Sequence, residues 1–204
     1  MRFALGSSIL WLGVAGMLAP SSASSAPLAV HFEVAAVARS IDLVRISGME
    51  PDRAAMPGVE AELSAAIPRS GLDLLIGGGI GGSWYYQKGP NYNLRTSYTE
   101  FRGQMGVRTT PLRSTHADLE VAALAEYGEL RSWLEDIYFS GSGPRSHYVG
   151  GGLRVRAVGQ PIWQLRPTVG FQADLYHARG EQSVIATQYS WLGEALTLSL
   201  GVRY

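Results

Sequence analysis

From residue 28 onward, apolar residues recur at every second position, the period of a strand with one apolar and one polar face. Eight segments carry the pattern. Leu28, Val30, Phe32, Val34 and Ala36 share one face of 28–38, opposite His31 and Glu33. In 58–67, Val59, Ala61, Leu63, Ala65 and Ile67 oppose Glu60, Glu62 and Ser64. In 71–86, Leu72, Leu74, Ile76, Ile80, Trp84 and Tyr86 oppose Asp73 and a row of glycines. Segments 98–109, 116–127 and 147–157 repeat the arrangement, with Phe101, Val121 and Leu153 on their apolar faces and Arg102, Glu120 and Arg154 opposite. Segments 163–176 and 190–204 complete the set.

The connections are of two kinds. Residues 68–70, 110–114 and 159–161 are tight turns rich in Pro, Gly and Ser. Residues 39–57, 87–97, 128–146 and 177–189 read as longer, more polar loops. This predicts an all-β, up-and-down antiparallel meander with two unlike ends. Residues 40–47 fit neither period, and the structure of 40–57 stays open at this point.

Alternation leaves two architectures open: a soluble barrel or sandwich with its apolar face inside, or a barrel with that face turned outward to lipid. The polar face separates them. Gly77, Gly79, Gly81, Gly106, Gly150, Gly152, Gly170 and Gly201 lie on it among Arg and Glu. Columns of glycine weaken a solvated strand, whereas a narrow lumen needs small residues beside large charged ones. Trp84, Tyr85, Tyr86, Tyr98, Tyr127, Tyr148, Tyr176, Tyr189 and Trp191 fall near strand ends beside the long loops, with Trp163 and Tyr204 at the other end. Two aromatic belts around an aliphatic band match the two interfaces of a bilayer. Strands of about ten residues suffice to cross it when tilted.

Composition agrees. Charged residues are only 17% of 204, and Lys+Arg equals Asp+Glu, so no basic footprint points to nucleic acid. Cysteine is absent, which excludes disulfides and thiolate sites. Residues 1–26 read as a secretory signal peptide: Arg2, an apolar run from Ile9 to Leu18, and Ser24-Ser25-Ala26 before the cut, with cleavage after Ala23 the alternative. Residues 27–204 are then a single barrel domain.

The last strand, "LTLSLGVRY", carries the sharpest motif: Leu196, Leu198, Leu200, Val202 and Tyr204 alternate up to an aromatic carboxy-terminal residue. With the eight strands, it resembles the small eight-stranded outer-membrane β-barrels of Gram-negative bacteria, of the OmpA/OmpX or opacity type. The resemblance implies a transmembrane β-barrel with periplasmic termini and extracellular loops. It also implies that the terminal strand is the signal read by the outer-membrane assembly machinery. Outer-membrane lipid and lipopolysaccharide are the other expected partners, and the residues do not specify an extracellular ligand.

Candidate chemistry is concentrated in the lumen. Glu33, Glu60, Glu62, Asp118 and Glu120 face Arg102, Arg108, Arg154, Arg156 and Arg166 from other strands. Buried charges need partners, so these ten are expected to form an internal ion-pair network that plugs the barrel; a narrow polar path for ions is the alternative. No cofactor or metal is expected. Gly77–Gly82 matches G-x-G-x-x-G but runs on as strand, without the helix that a dinucleotide needs. Small barrels include lipid-modifying enzymes that use Ser and His. Here Ser146-His147 and Thr115-His116 are sequence neighbours, which strand geometry would point to opposite faces. The expected role is therefore non-catalytic, structural or surface-interacting. A porin-like channel comes second and a lipid-modifying enzyme third. The long loops, with Lys88, Tyr92, Arg131, Trp133, Glu135, Asp136 and Tyr138, are where an outside partner would bind.

Overall fold

The computed structural model describes residues 30–43, 53–88, 93–136, 140–182 and 187–204. The segment read as a signal peptide lies outside the described residues, as do Tyr92 and Tyr138. Eight strands follow one another: β1 (Val30–Asp42), β2 (Arg53–Ile67), β3 (Leu72–Lys88), β4 (Asn93–Arg113), β5 (Ala117–Glu135), β6 (Ser140–Gly159), β7 (Arg166–Gln182) and β8 (Thr187–Arg203). Each pairs antiparallel with the next, and β8 returns to β1, closing the barrel. The closing ladder runs from Glu33↔Arg203 to Ile41↔Ala195. Tyr204 adds one more reciprocal pair, exchanging backbone hydrogen bonds of 2.8 and 3.1 Å with Phe32.

Three connections at one end are short. In the first, Ser70 Oγ donates to the Ile67 carbonyl, with Arg69 and Gly71 in the left-handed region at φ 64° and 70°. In the second, Ser114 Oγ accepts from the amides of His116 and Ala117. The third holds an Ile162↔Leu165 bridge with Trp163 at φ 60°. Trp163 and Leu165, expected to open the seventh strand, lie in this turn instead, and β7 begins at Arg166.

The strands run further toward the opposite end than expected. The stretches 39–57, 87–97, 128–146 and 177–189, expected to be loops, are largely strand in their described parts; 40–42 and 53–57, undecided before, belong to β1 and β2. The cause is an inversion of polarity along the barrel. Nearer the turns, apolar side chains point outward: Phe32, Leu63, Ile76, Met105, Leu153, Phe171 and Leu198 are 45–63% exposed. Nearer the loops, many outward positions become polar, as at Ser40, Asp42, Arg53, Arg131, Arg145 and Arg179, while Trp84, Trp133 and Leu192 stay exposed there. Inward positions there become apolar: Ile41, Leu43, Ala54, Met56, Tyr98, Leu130, Tyr148, Tyr176, Ala178 and Ala195 form one buried cluster. Geometric alternation continues while hydrophobic alternation changes phase, so a pattern search stops at the crossover.

The aromatic belt therefore needs correction. Trp84, Tyr86 and Tyr127 are exposed on the outside, but Tyr98, Tyr148 and Tyr176 are at most 7% exposed and point into the barrel. Trp191 packs against the same inner cluster.

One seam is open among the described residues. β2 and β3 pair only from Ile67↔Leu72 to Gly58↔Gly81. Above that, Arg53–Pro57 pair only with β1 and Gly82–Lys88 only with β4. Pro57, at the parting, has no N–H to offer a neighbour. The other flank of the β1–β2 hairpin is latched. Arg53 bonds Asp42 at 2.5 Å and Glu194 at 3.3 Å, and the Glu194 amide donates to Asp42 at 2.9 Å. Amide hydrogen exchange on the folded protein should find every second amide of Gly82–Tyr86 fast and the alternate amides, bonded to β4, protected. Uniform protection through this stretch would mean that the seam is closed.

Candidate functional site

The lumen nearer the turns is ionic because the inward positions of neighbouring strands bring opposite charges to the same height. Seven carboxylates (Glu33, Glu60, Glu62, Glu100, Glu120, Glu126 and Asp174) and six guanidinium groups (Arg39, Arg102, Arg108, Arg154, Arg156 and Arg203) are buried there among the described residues. In this low-dielectric interior each needs a partner and further hydrogen bonds.

At the turn end, Glu33 accepts from Arg156 at 2.8 Å, from Arg203 at 3.0 and 3.1 Å, and from Thr168 at 3.0 Å. Arg203 also grips Glu120 with two parallel bonds of 2.6 and 2.7 Å, the planar fork that favours arginine over lysine. Arg108 bonds Asp73 at 2.6 Å and Ser64 at 2.9 Å, and lies 3.4 Å from Glu120. In the middle, Glu62 pairs with Arg154 and Arg156, while Glu60 pairs with Arg102 at 2.6 Å, Arg154 at 3.3 Å and the Gln104 amide. Higher up, Arg39 is surrounded by Asp174 at 2.9 Å, Glu126 at 3.0 Å and Glu100 at 3.2 Å. Gln172 donates to both Glu126 and Asp174, at 2.6 and 2.8 Å. The Tyr148 hydroxyl donates to Glu100, and the Tyr148 ring lies 6.0 Å from the Arg39 guanidinium carbon.

The network joins all eight strands and ends beneath the apolar cluster. Glycines opposite the large side chains make room for it. A Cβ on Gly128 would strike the Tyr148 ring, and one on Gly193 the Tyr176 ring. Tyr176 in turn donates its hydroxyl to the Asp42 carbonyl at 2.6 Å, tying β7 to the top of β1. A cavity of about 10 Å³ beside Arg39, Glu100 and Arg102 has about the room one water needs.

Of the ten charges proposed from sequence, Glu33, Glu60, Glu62, Arg102, Arg108, Glu120, Arg154 and Arg156 lie in this buried network. Arg166 and Asp118 pair with each other at 2.7 Å at the partly exposed turn-end mouth. Sequence reasoning missed Arg39, Glu100, Glu126, Asp174 and Arg203. Glu100, Glu126 and Asp174 lie on the polar faces of segments 98–109, 116–127 and 163–176. Glu100 lies two residues from Arg102 on the same strand face. Arg39 opens the stretch 39–57, whose polar residues read as loop, and Arg203 lies on the polar face of a last strand whose signal is its apolar face. That strand does both jobs: Leu196, Leu198, Leu200, Val202 and Tyr204 point outward, while Thr197, Ser199 and Arg203 are buried inside.

The two hydroxyl–histidine neighbours are placed differently from each other. Ser146 is buried and faces inward while the adjacent His147 is exposed, as strand geometry requires. Thr115 and His116 do meet, with 3.0 Å between Oγ1 and Nδ1, contrary to the expectation from strand geometry. They sit in the β4–β5 turn, where alternation does not hold. Among the described residues no group of three or more His, Asp or Glu could hold a metal ion. Gly77–Gly82 lies wholly within β3. Arg131, Trp133 and Glu135, expected in a loop, extend β5; Lys88 ends β3.

Neither a protein-family model nor a curated protein sequence matches the chain. Solved structures do match. The chain is similar to a major outer membrane protein from Thermus thermophilus, with a TM-score of 0.55, 15% identity, and coverage of 86% of this chain and 98% of that one. It is also similar to the outer membrane protein OprG from Pseudomonas aeruginosa, with a TM-score of 0.50, 6% identity, and coverage of 87% and 97%. At these identities the likeness is one of fold: the chain is an eight-stranded antiparallel barrel of the transmembrane kind, its apolar band on the outside.

Removing one partner of a buried pair leaves the other charge stranded. Arg203→Ala should lower the unfolding free energy in detergent by about 3–5 kcal/mol, read from urea titrations. Arg166→Ala, at the solvated mouth, should cost less than about 1 kcal/mol; equal effects would deny that depth governs the network. Gly128→Ala should cost about 1–3 kcal/mol by overpacking, and almost nothing in a Tyr148→Ala background. If that cost persisted without the ring, steric conflict with Tyr148 would not be its source.

Proposed function

We propose that this chain is an integral outer-membrane β-barrel with a structural or surface-interaction role and a lumen closed to passage. It has periplasmic termini and short turns, and its loop ends face outward from the cell. The observation that carries this reading is the double closure of the interior. An ion-pair network spans the lower lumen, and Ile41, Met56, Tyr98, Leu130, Tyr148 and Tyr176 cover it from the loop side. A solute would have to break paired charges and then displace packed side chains. This favours a sealed scaffold over a porin-like channel.

A catalytic role finds no support in the described histidines, which lie on the outer face or at the turn end. The lipid-modifying reading is therefore the weaker one. The outward aliphatic band fits outer-membrane lipid, and lipopolysaccharide is the neighbour expected at the loop side. The outward apolar alternation of β8, Leu196, Leu198, Leu200 and Val202, supports recognition by the outer-membrane assembly machinery.

Two measurements test the proposal together. Mature protein refolded in detergent should migrate faster on a gel unless boiled, and should fractionate with the outer membrane of the producing cell. In planar bilayers it should give no unitary conductance steps, whereas Arg154→Ala should either destabilise the barrel or introduce them. Regular steps from the unaltered protein would replace the sealed scaffold by a channel. A protein that stayed monomeric in plain buffer would remove the membrane reading altogether.

A further inference from the structure

The charges on the outer face of the loop end are not evenly balanced. On the β1–β2–β8 side, Arg53 is matched by Asp42 and Glu194. On β4, Arg95 lies 3.9 Å from Glu135. Across β5, β6 and β7 the balance fails. Arg131 and Arg145 are directly opposite in register, and His147 stands opposite both Glu129 and Arg179. His177 lies two residues before Arg179 on the same face. All five cationic or imidazole side chains are exposed. Like charges directly opposite on a sheet repel, so this arrangement calls for a counter-charge.

The protein supplies only part of it. Glu129 Oε1 is shared by Arg131 Nε, at 2.6 Å, and Arg145 Nε. These two hydrogen bonds hold the Glu129 carboxyl down to about 2, so it stays ionised at any physiological pH. Glu181 stands opposite Arg145 in register, so three guanidinium groups (Arg131, Arg145 and Arg179) against two carboxylates still leave a net positive charge on this face. Because both arginines engage Glu129 through Nε, their terminal amino groups can meet an external acceptor. Among the described residues, no side chain pairs with Arg179.

The position of the patch identifies the acceptor. It lies directly beyond the apolar band. Arg131 is stacked over Phe101, 5.2 Å from the ring centroid. Tyr127, two residues below Glu129, bonds His147 at 3.2 Å and stacks with it. The cations are thus anchored on the last outward aromatic residues, at the height where hydrocarbon gives way to headgroups. Guanidinium forks match phosphate oxygens in charge and geometry. We propose that Arg131, Arg145 and Arg179, aided by His147, bind the phosphate of an outer-leaflet lipid headgroup and so fix the barrel's lipid neighbour on its β5–β7 side. This rests on the outer-membrane reading above and gives it a specific lipid contact.

The test uses the full mature protein reconstituted into phosphatidylcholine vesicles with or without a phosphomonoester lipid, phosphatidic acid or lipid A. Lipid kept on the barrel is read by native mass spectrometry after gentle detergent release. The parent protein should retain the phosphomonoester lipid over phosphatidylcholine. The combined Arg131→Gln, Arg145→Gln and Arg179→Gln variant should lose at least about tenfold of that preference, since basic side chains at the surface hold anionic headgroups. Arg53→Gln, where two carboxylates already outnumber the one guanidinium, should leave it unchanged. Heat-dependent gel migration of each variant shows that the barrel is intact. Intact barrels with equal retention in parent and triple variant would overturn the proposal while leaving the membrane reading standing. So would loss of the preference in the presence of excess inorganic phosphate with tighter binding of the free ion, which would assign the patch to a soluble anion. Failure to insert into vesicles at all would instead remove the outer-membrane reading.

Discussion

Charge buried in a lumen of low dielectric must be matched within the barrel, and this requirement organises the rest of the structure. Arg203 illustrates it. Its side chain lies on the closing strand, yet it is held by Glu33 on β1 and Glu120 on β5. The seam between β8 and β1 is therefore fastened both by a backbone ladder and by a charge that has no alternative partner in hydrocarbon. Arg39 does the same at the upper edge, where three carboxylates from β4, β5 and β7 converge on a residue of β1. An isolated pair at the surface would contribute little. Here each ion has several partners, and removal of any one exposes the rest to an uncompensated field.

The second organising feature is the change of polarity along the barrel. In the band where lipid would surround it, the protein is apolar outside and ionic inside. Toward the loops the inner face turns apolar and much of the outer face polar, with Ile41, Met56 and Tyr148 inside and Asp42, Arg131 and Arg145 outside, beside exposed Trp84 and Trp133. One set of strands thus serves two solvents. The apolar inner cluster also caps the charges below it, which keeps water away from the pairs and strengthens them.

This change of phase explains what the sequence revealed and what it concealed. The eight strands, their order and the closed meander were legible wherever Leu, Val, Ile and Phe alternated with Glu, Arg and Gly. The upper strand halves were not. Ser40 and Asp42 on the outside looked like loop, and Ile41 and Leu43 stood out of phase with the apolar face before them. For the same reason Tyr98, Tyr148 and Tyr176 read as belt residues; strand parity, carried past the crossover, would have turned them inward with Glu100 and Asp174. Arg39 needed the same extension. The pairings themselves were beyond reach. Register across eight strands decides that Arg156 meets Glu33 and Glu62 and not Glu100 or Glu126, and spacing within one strand holds no information on it.

The inversion can be measured directly. The chain has no cysteine, so single cysteines carrying spin labels can be placed at outward positions along β1, from Val34 through Ala36 and Ala38 to Ser40 and Asp42. In reconstituted bilayers, collision with oxygen should dominate at Val34 and Ala36, and collision with a water-soluble nickel chelate should dominate at Ser40 and Asp42. Nickel access at all five positions would place the whole outer face in water and contradict the account.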